Sequence, residues 1–532
     1  MGWKHCSVGL VILALALVGC FRELPEERDK TKIFAFNNAT EPETLDPARM
    51  TGQPEFRIAS ALFEGLAAPH PRTLEPEPGV AKSWDVSQSR LVYTFHLRDC
   101  RWSDGAPLTA EDFVYSWLRA LDPETAADYA YLLYYVENAK AYNMGELKDP
   151  AAVGVRAVDR RTLEVRLNAP TPYFLSLCTM PLFMPVNRKC IATHGNHWTR
   201  PGKLVGNGPF KLVAHRLQLD LVMVKNPHYW DADRVKLETL HCISIDNSNT
   251  GLKMYHSGQS DWISNVPLPK QDILRERPDF YAAAFLSVYY YRFNVTKPPL
   301  DDHRVRKALA MAIDRKAICE QVLRAGQIPA HSFVPPGISR YRSQPYLEDD
   351  PEEAQRLLAE AGYLGGRGFP RLELLYNTSE SHKAIAQVVQ QMWKRDLGVN
   401  IELVNQEWKV YLSSVQQLNY DIARAGWIGD YVDPSTFLDL FVTGGGNNNT
   451  GWTNPRYDHL IAESSREGDP ARRMDLFEEC ERLLIAEDTV IMPIYFYVNV
   501  NMLKPYVRGF YQNLLDMHPW KYVWIDRSGR GR

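Results

Sequence analysis

The sequence predicts an α/β protein, because strands with alternating apolar residues and helices with clear capping signals follow each other along the chain. Leu91, Tyr93, Phe95 and Leu97 alternate with more polar neighbours, and residues 163–167 repeat this period of two. The chain has 532 residues, of which 45% are hydrophobic and 23% charged, so its length suffices for about three domains with ordinary cores. This composition excludes a disordered, collagen-like or coiled-coil chain.

Predicted helices interleave with these strands, and three of them carry start signals. They begin at Thr109, at Asp301 or Asp302, and at Asp350. Asp112 follows Thr109 by three residues, which is the spacing of a capping box. Pro351 at the first position and Gly362 at the end delimit the third helix, and the second is expected to end near Gly326.

Charge and cysteine content narrow the class further. Lys and Arg number 61 and Asp and Glu 64, so the formal charge is −3, which argues against nucleic acid as the main partner. The eight cysteines are scattered rather than arranged as a dense disulfide framework. Cys178 and Cys190 are the pair expected from proximity, although the sequence does not fix connectivity.

The N-terminus has the pattern of an export signal. Lys4 and His5 precede an apolar run at residues 8–19, which is shorter than a membrane span requires. The run ends in Leu-Val-Gly-Cys20, a sequence that resembles the lipobox of bacterial lipoproteins. We therefore expect residues 1–20 to form a lipoprotein signal, with Cys20 lipidated and the body tethered outside the cytoplasm. A buried strand with an incidental cysteine is the alternative.

Motifs of common enzyme classes are missing from the sequence. It contains no Walker A loop and no GxGxxG, HExxH or GxSxG motif. Cys190, His194 and His197 lie close together, but no fourth ligand for zinc is near them. We expect no metal, no cofactor and no enzymatic activity, although an enzyme is unsupported rather than excluded. The glycine- and asparagine-rich tract at 444–449 is interpreted either as a lid or hinge or as a surface loop.

Several motifs together resemble one family. They are Glu-Pro-Glu-Thr-Leu-Asp-Pro at 41–47, Trp-Ser-Asp-Gly at 102–105, Asn-Pro-His-Tyr-Trp at 226–230 and Arg-Ala-Gly-Trp-Ile-Gly-Asp at 424–430. The sequence is similar over essentially the whole mature chain to the extracellular solute-binding proteins of family 5, the oligopeptide-binding proteins of bacterial ABC importers.

The resemblance implies a periplasmic binding protein-like fold of type II, with two lobes joined by a hinge and an extra third lobe. The expected boundaries are lobe I at 21–62, 186–285 and 499–532, lobe II (the extra lobe) at 63–185, and lobe III at 286–498.

The function implied by the resemblance is a receptor rather than an enzyme. A lipid-anchored monomer would capture short peptides by their backbone and termini and deliver them to an ABC permease with its ATPase subunits. The alternatives are the same fold binding another solute, such as a murein peptide, a metal chelate or haem, and a sensor with no role in transport.

Asp430 is the predicted anchor of the peptide's ammonium group, because it matches the family's acid in the 424–430 motif. The local sequence supports this assignment on its own terms. Gly426 and Gly429 allow the backbone to approach a ligand closely, and Trp427 supplies an aromatic wall. The alternative is an aspartate in an ordinary turn.

Two basic residues match family positions that contact the peptide carboxylate. These are Arg424, for which a structural salt bridge is the alternative, and His382, which is otherwise a surface histidine at a helix start. A second basic residue common in the family is replaced by Val415, and Thr51 replaces an acidic pocket residue. Peptide length and side-chain preference therefore stay open.

Five further residues are assigned to the site by resemblance. Trp408 and Trp427 are expected to line side-chain pockets or else to pack in the core. Asn265 and Tyr290 lie near the family's hinge and its backbone-pairing strand, where hinge packing is an equal interpretation. The assignment of Tyr131 depends on an alignment that a shift of one residue would change.

Overall fold

The computed structural model describes residues 31–528, apart from the side chains of Leu268, Glu380, Trp408 and Lys409. Cys20 and the rest of the predicted signal lie outside the described residues. The described chain is a mixture of strands and helices, as the alternation of sequence patterns predicts.

Nineteen strands occur in the described residues. They are β1 (Ile33–Asn37), β2 (Ala67–Pro69), β3 (Pro76–Pro78), β4 (Ala81–Val86), β5 (Val92–Leu97), β6 (Val155–Asp159), β7 (Thr162–Arg166), β8 (Phe210–Arg216), β9 (Asp220–Lys225), β10 (Thr239–Ile243), β11 (Trp262–Ile263), β12 (Phe280–Phe293), β13 (Ile328–Pro329), β14 (Leu372–Asn377), β15 (Ile401–Gln406), β16 (Ile422–Ile428), β17 (Ile491–Leu503), β18 (Val507–Arg508) and β19 (Trp524–Ile525).

Helices cover these strands. The α-helices of the described chain are α1 (Gln53–Leu62), α2 (Ala110–Leu121), α3 (Ala139–Asn143), α4 (Phe174–Leu177), α5 (Arg188–His194), α6 (Ser248–Ser257), α7 (Gln271–Leu274), α8 (His303–Met311), α9 (Arg315–Ala317), α10 (Pro351–Glu360), α11 (Glu380–Leu397), α12 (Trp408–Gln416), α13 (Ser435–Leu438), α14 (Pro455–Arg466) and α15 (Pro470–Arg482).

One mixed sheet of eleven strands runs through most of the molecule, in the order β15-β14-β16-β12-β17-β11-β1-β10-β9-β8, with β13 paired to β17. A separate antiparallel sheet has the order β4-β5-β7-β6. β12 and β17 are the longest strands, with 14 and 13 residues. Their antiparallel pairing extends from Phe280 opposite Met502 to Arg292 opposite Ile491, and its register shifts between Ala284 and Val288.

Three large hydrophobic cores follow the chain in a discontinuous way. The first is built from residues within 34–63, 184–262 and 503–525. The second is built from residues within 48–183 together with Tyr431, and the third from residues within 286–496. Residues 286–293 of β12 and 491–496 of β17 belong to the third core. Tyr281 and Leu503, near the opposite ends of these strands, pack in the first core, so the two strands connect the two cores.

The local start signals are found in the structure. Thr109 and Asp112 form the predicted capping box, and Asp350 accepts hydrogen bonds from the N–H groups of Glu352 and Glu353 at 3.1 and 3.0 Å. The helix after Asp302 ends at Met311 and not near Gly326, so it is shorter than predicted.

Two contacts explain that early end. The carbonyl of Met311 accepts from the N–H of Asp350 at 2.9 Å, and the side chain of Asp314 caps a new helical turn by accepting from Ala317 at 2.7 Å. The turn at Arg315–Ala317 then continues directly into a π-helix at Ile318–Leu323.

The expected pairing of Cys178 and Cys190 is wrong. All six cysteines of the described residues are buried free thiols. Cys178 packs in the second core and Cys190 in the first, where its thiol donates to the carbonyl of Lys203 at 3.1 Å. Proximity in sequence therefore does not bring the two sulfurs together, because the chain passes from one core to the other between them.

Two other sequence features have plain structural outcomes. The 444–449 tract is a loop in which the Asn448 amide donates to the carbonyls of Phe441 and Trp452 at 3.0 and 2.9 Å. Among residues 31–528, none of the helices has the length and apolar character needed to cross a bilayer.

Candidate functional site

An open cleft lies where the three cores meet. One wall is the carboxyl end of β16 and the loop that follows it, residues 426–432. The opposite side combines remote segments of the chain: Thr51, Gly52, Gln53, Phe56, Pro69, Leu74, Tyr129, Ser176, Thr179, Met180, Pro181, Leu515 and Met517. Phe285, at the register shift of β12, lies between the two sides.

The backbone positions Asp430 by a tight turn at the end of β16. The N–H of Gly429 donates to the carbonyl of Leu286 at 2.8 Å. A Cβ on Gly429 would lie 2.7 Å from Cδ2 of Leu286, so only glycine permits this approach. The N–H of Asp430 then donates to Oγ1 of Thr436 at 3.2 Å, which directs the aspartate side chain to the cleft wall.

The carboxylate of Asp430 is half-buried and without a partner. Within residues 31–528 it has neither a hydrogen bond nor an ion pair. Burial raises the pKa of Asp430 to about 6, and no neighbouring cation opposes that rise. A charge-assisted hydrogen bond to a cation that enters the cleft therefore stabilises this carboxylate.

Tyrosines surround this acid. Tyr131 is 44% exposed and meets Tyr129 edge to face, with ring centroids 5.9 Å apart. Burial raises the pKa of both phenols, and the negative charge of Asp430 raises it further, so both phenols lie close enough to this carboxylate to respond to its charge. The ring of Tyr431 stacks on Tyr173 at 4.4 Å and attaches the Asp430 loop to the second core.

Arg424 lies on β16, six residues before Asp430, and its guanidinium is half-buried. Nη2 donates to the hydroxyl of Tyr497 at 3.3 Å and Nη1 to Oδ1 of Asn377 at 3.4 Å, and the guanidinium lies 4.9 Å from the ring centroid of Tyr289. Among the described residues no carboxylate pairs with it. A structural salt bridge, the alternative considered for Arg424, is therefore not present.

His382 lies in the first turn of α11, and its ring centroid is 5.5 Å from that of Tyr289. Burial, together with the positive charge of Arg424, lowers the pKa of His382 to about 4. The imidazole is therefore neutral near pH 7, so it can supply a hydrogen bond to an anion but no charge. Its position beside Arg424 is half-buried rather than on the open surface.

Of the remaining assigned residues, Gly426 and Trp427 line the cleft. A Cβ on Gly426 would lie 3.1 Å from Nη2 of Arg424. Tyr290 is 3% exposed and packs on Phe333 at 5.0 Å, so its ring belongs to the third core.

Asn265 is not among the residues that line the cleft. Its amide donates to the carbonyl of Asp246 at 3.3 Å, in the loop that follows β11. The side chain of Trp408 is outside the part of the chain that the structure describes, so its pocket role stays a prediction.

Sequence reasoning missed part of the lining. Tyr129 stands two residues from the assigned Tyr131, and its hydroxyl donates to the carbonyl of Thr51 at 3.2 Å. Phe285, Leu515 and Met517 carry no local signal that distinguishes them from core residues. Within the described chain, no group of three or more His, Cys, Asp or Glu side chains has the arrangement needed to hold a metal ion.

The open cleft therefore lies between cores that two long strands connect, and the unpaired carboxylate of Asp430 lines it. Comparison with known proteins identifies the family. Residues 75–449 match the model for the bacterial extracellular solute-binding proteins of family 5. The chain belongs to this family, and both the resemblance read from its motifs and the type II binding-protein fold class are confirmed.

Relatives of this chain bind different solutes. The periplasmic oligopeptide-binding protein OppA of Escherichia coli is 39% identical over 485 residues, which is 89% of each chain. A probable deoxycholate-binding periplasmic protein of the same organism, YgiS, is 35% identical over 491 residues and 90% of each chain. These relatives are binding proteins of the cell exterior or periplasm rather than enzymes.

Two solved structures of the murein tripeptide-binding protein MppA bear on the conformation. The unliganded open form matches with a TM-score of 0.85, 37% identity and coverage of 93% of this chain and 98% of the other. A second MppA structure, from Escherichia coli, matches with a TM-score of 0.73 at the same identity, covering 93% and 99%. At equal identity and nearly equal coverage, this chain is therefore more similar in structure to the unliganded open form than to the second MppA structure.

Proposed function

We propose that this protein is a receptor outside the cytoplasm that captures short peptides by their termini and backbone and delivers them to an ABC permease for import. The observation that carries the proposal is a pair of opposite, unpaired, half-buried charges, one on β16 and one in the turn just after it. Asp430 stands at the cleft end of β16 and Arg424 lies six residues earlier. A free peptide carries the complementary charges at its two ends.

The spacing of the two charges limits ligand length. Six fully extended residues span about 20 Å, and the turn after Ile428 makes the separation of the two charges shorter than that. A ligand that contacts both charges therefore has at most about six residues, and fewer where the two side chains lean toward each other. The neutral His382 beside Arg424 adds a hydrogen bond for a carboxylate at this end.

Closure around the ligand is the second part of the proposal. β12 and β17 connect the first and third cores, and the register shift between Ala284 and Val288 interrupts their pairing beside the cleft. Irregular pairing of this kind lets strands bend at low cost, which suits a hinge. We propose lobe I at 21–62, 186–285 and 499–532, lobe II at 63–185 and lobe III at 286–498; the three cores support this division.

The membrane attachment follows from the N-terminal sequence alone. We propose that Cys20 is lipidated and holds a monomeric body close to the permease and its ATPase subunits. Replacement of Cys20 by alanine is expected to release the protein from the membrane fraction, and metabolic labelling with a radioactive fatty acid is expected to lose its signal. A membrane-bound, labelled C20A protein would contradict this assignment.

Mass spectrometry of the released ligand tests the central proposal. We expect the purified full chain, when unfolded, to release a mixture of peptides of about six residues or fewer. A single defined murein peptide would narrow the substrate within the peptide class. A bile acid, haem or a metal chelate would overturn the peptide proposal while leaving the family assignment in place.

A further inference from the structure

Arg292, on β12, is half-buried, as Arg424 is, and has no acidic partner. Nη2 donates to the hydroxyl of Tyr290 at 3.4 Å, and the guanidinium lies 5.7 Å from the centroid of that ring. In the described part of the chain, no group bonds to its Nε and no carboxylate forms an ion pair with it. Tyr290 therefore contacts this positive charge, but no negative charge neutralises it.

The other buried arginines of the described chain are all compensated. Arg57 pairs with Asp516, Arg315 with Asp349 and Arg473 with Asp433. Arg306 has no carboxylate partner but donates to four main-chain carbonyls. An uncompensated buried charge is costly, so the fold satisfies arginines where their role is structural. Arg292 and Arg424 depart from this pattern.

The strand register shows which side of the sheet Arg292 occupies. Arg292 pairs with Ala423 on β16, and alternate residues of a strand share a face, so Arg292 lies on the face of Ala423, Ala425 and Trp427. Trp427 lines the cleft. Around Ala423 this face is covered by Tyr411, Val415 and Tyr420, whose side chains carry no acid.

Arg424 occupies the opposite face. It pairs with Tyr291, the residue before Arg292, and so its side chain lies with Tyr289 and His382 on the other side of the same two strands. One carboxylate cannot contact guanidinium groups on both faces of a sheet. Two anionic groups are needed to neutralise both arginines.

We propose that Arg292 is a specificity-determining residue that takes a second carboxylate of the ligand, supplied by an acidic side chain. This inference rests on the proposed function, because it assigns the ligand's C-terminal carboxylate to Arg424. It names the preferred substrates as short peptides that contain glutamate or aspartate. A charge-assisted hydrogen bond of a half-buried guanidinium discriminates a carboxylate from the isosteric amide by about tenfold or more.

Calorimetry with matched peptides tests the proposal on the purified full chain. The ligands are Ala-Ala-Ala and its three single-glutamate variants, each compared with the corresponding glutamine variant. At one or more positions, we expect the glutamate peptide to bind at least about tenfold more tightly than the glutamine peptide. Arg292→Gln is expected to bring this ratio close to one, and Arg292→Lys to retain part of it. Arg371→Gln, which alters an exposed arginine beside β14, is the control that keeps the full ratio.

The outcomes separate this inference from the proposed function. Binding of none of the peptides would contradict the proposed function itself. Binding of all peptides with no preference for glutamate would leave the peptide receptor in place and overturn the role of Arg292. A preference that survives in a folded Arg292→Gln protein, verified by its melting temperature, would also overturn it, because another group would then be responsible.

Discussion

Replacing Asp430 by asparagine removes the negative charge at the tyrosine-lined end of the cleft while keeping the size of the side chain. The rise in the pKa of Asp430 from 3.8 to about 6 corresponds to about 3 kcal/mol of lost solvation for the ionised form. A peptide ammonium that pairs with this carboxylate replaces the lost water. The charge-assisted bond contributes about 1.5–3 kcal/mol, so Asp430→Asn is expected to weaken binding about 10-fold to 150-fold.

The pH dependence of peptide binding is an independent test of the role of Asp430. Because Asp430 in the free protein loses its proton near pH 6, and an ammonium lowers that pKa, affinity is expected to fall about tenfold between pH 7 and pH 5. His382, with a pKa of about 4, titrates below this window. The Asp430→Asn variant is expected to show a flat profile from pH 7 to pH 5.

Stability of the ligand-free protein changes in the opposite direction. A carboxyl group whose pKa is higher in the folded than in the unfolded state favours folding at low pH, and this contribution is lost as pH rises from 3.8 to about 6. We therefore expect Asp430→Asn to raise the melting temperature relative to wild type at pH 7, and to raise it less at pH 4.

The assay is titration calorimetry with a free-amine peptide and its N-acetylated form, at pH 7 and pH 5. Asp301→Asn, an exposed aspartate of the same lobe, is the control and is expected to behave as wild type. Binding of the free-amine peptide by a folded Asp430→Asn protein within twofold of wild type at pH 7 would refute the role of Asp430 as the ammonium anchor. An equal loss of affinity for both proteins when the peptide is acetylated would also refute it.

Four further predictions follow from the structure. Arg424→Gln is expected to weaken binding of peptides with a free C-terminus about tenfold or more and to add little loss for C-terminally amidated peptides, as a calorimetric double-mutant cycle would measure; equal losses for both ligands would contradict the assignment. Gly429→Val is expected to abolish binding in titrations while the circular dichroism spectrum stays native, because its Cβ would approach Leu286 to 2.7 Å; wild-type affinity would contradict the role of the turn. Saturating peptide is expected to reduce the radius of gyration in small-angle scattering, whereas identical curves would exclude closure. Glu481→Ala is expected to cost about 2–5 kcal/mol in urea unfolding, because the buried carboxylate accepts from two backbone N–H groups at 2.6 and 2.7 Å; a loss below 1 kcal/mol would contradict this.

The sequence predicted those features that depend on neighbours along the chain. The capping box of Thr109 and Asp112 and the cap at Asp350 involve groups within three residues, so their geometry follows from local sequence alone. The resemblance of the motif at 424–430 to the family likewise identified Arg424 and Asp430 as candidates, and the structure places them on β16 and just beyond its end.

Remote contacts decided the features that the sequence did not predict. The helix after Asp302 ends at Met311 because the main-chain N–H of Asp350, far along the chain, donates a hydrogen bond to the carbonyl of Met311. Cys178 and Cys190 stay apart because they pack in different cores.

What the sequence by itself determined is the class of the protein, its strand and helix signals, and the two opposite charges of the candidate site. Only the tertiary structure decided that Asp430, Arg424 and Arg292 have no ion-pair partner among the described residues, and that His382 is neutral. The physical reason is that solvation and ion pairing depend on which remote residues fold around a charge, and spacing along the chain does not contain that information.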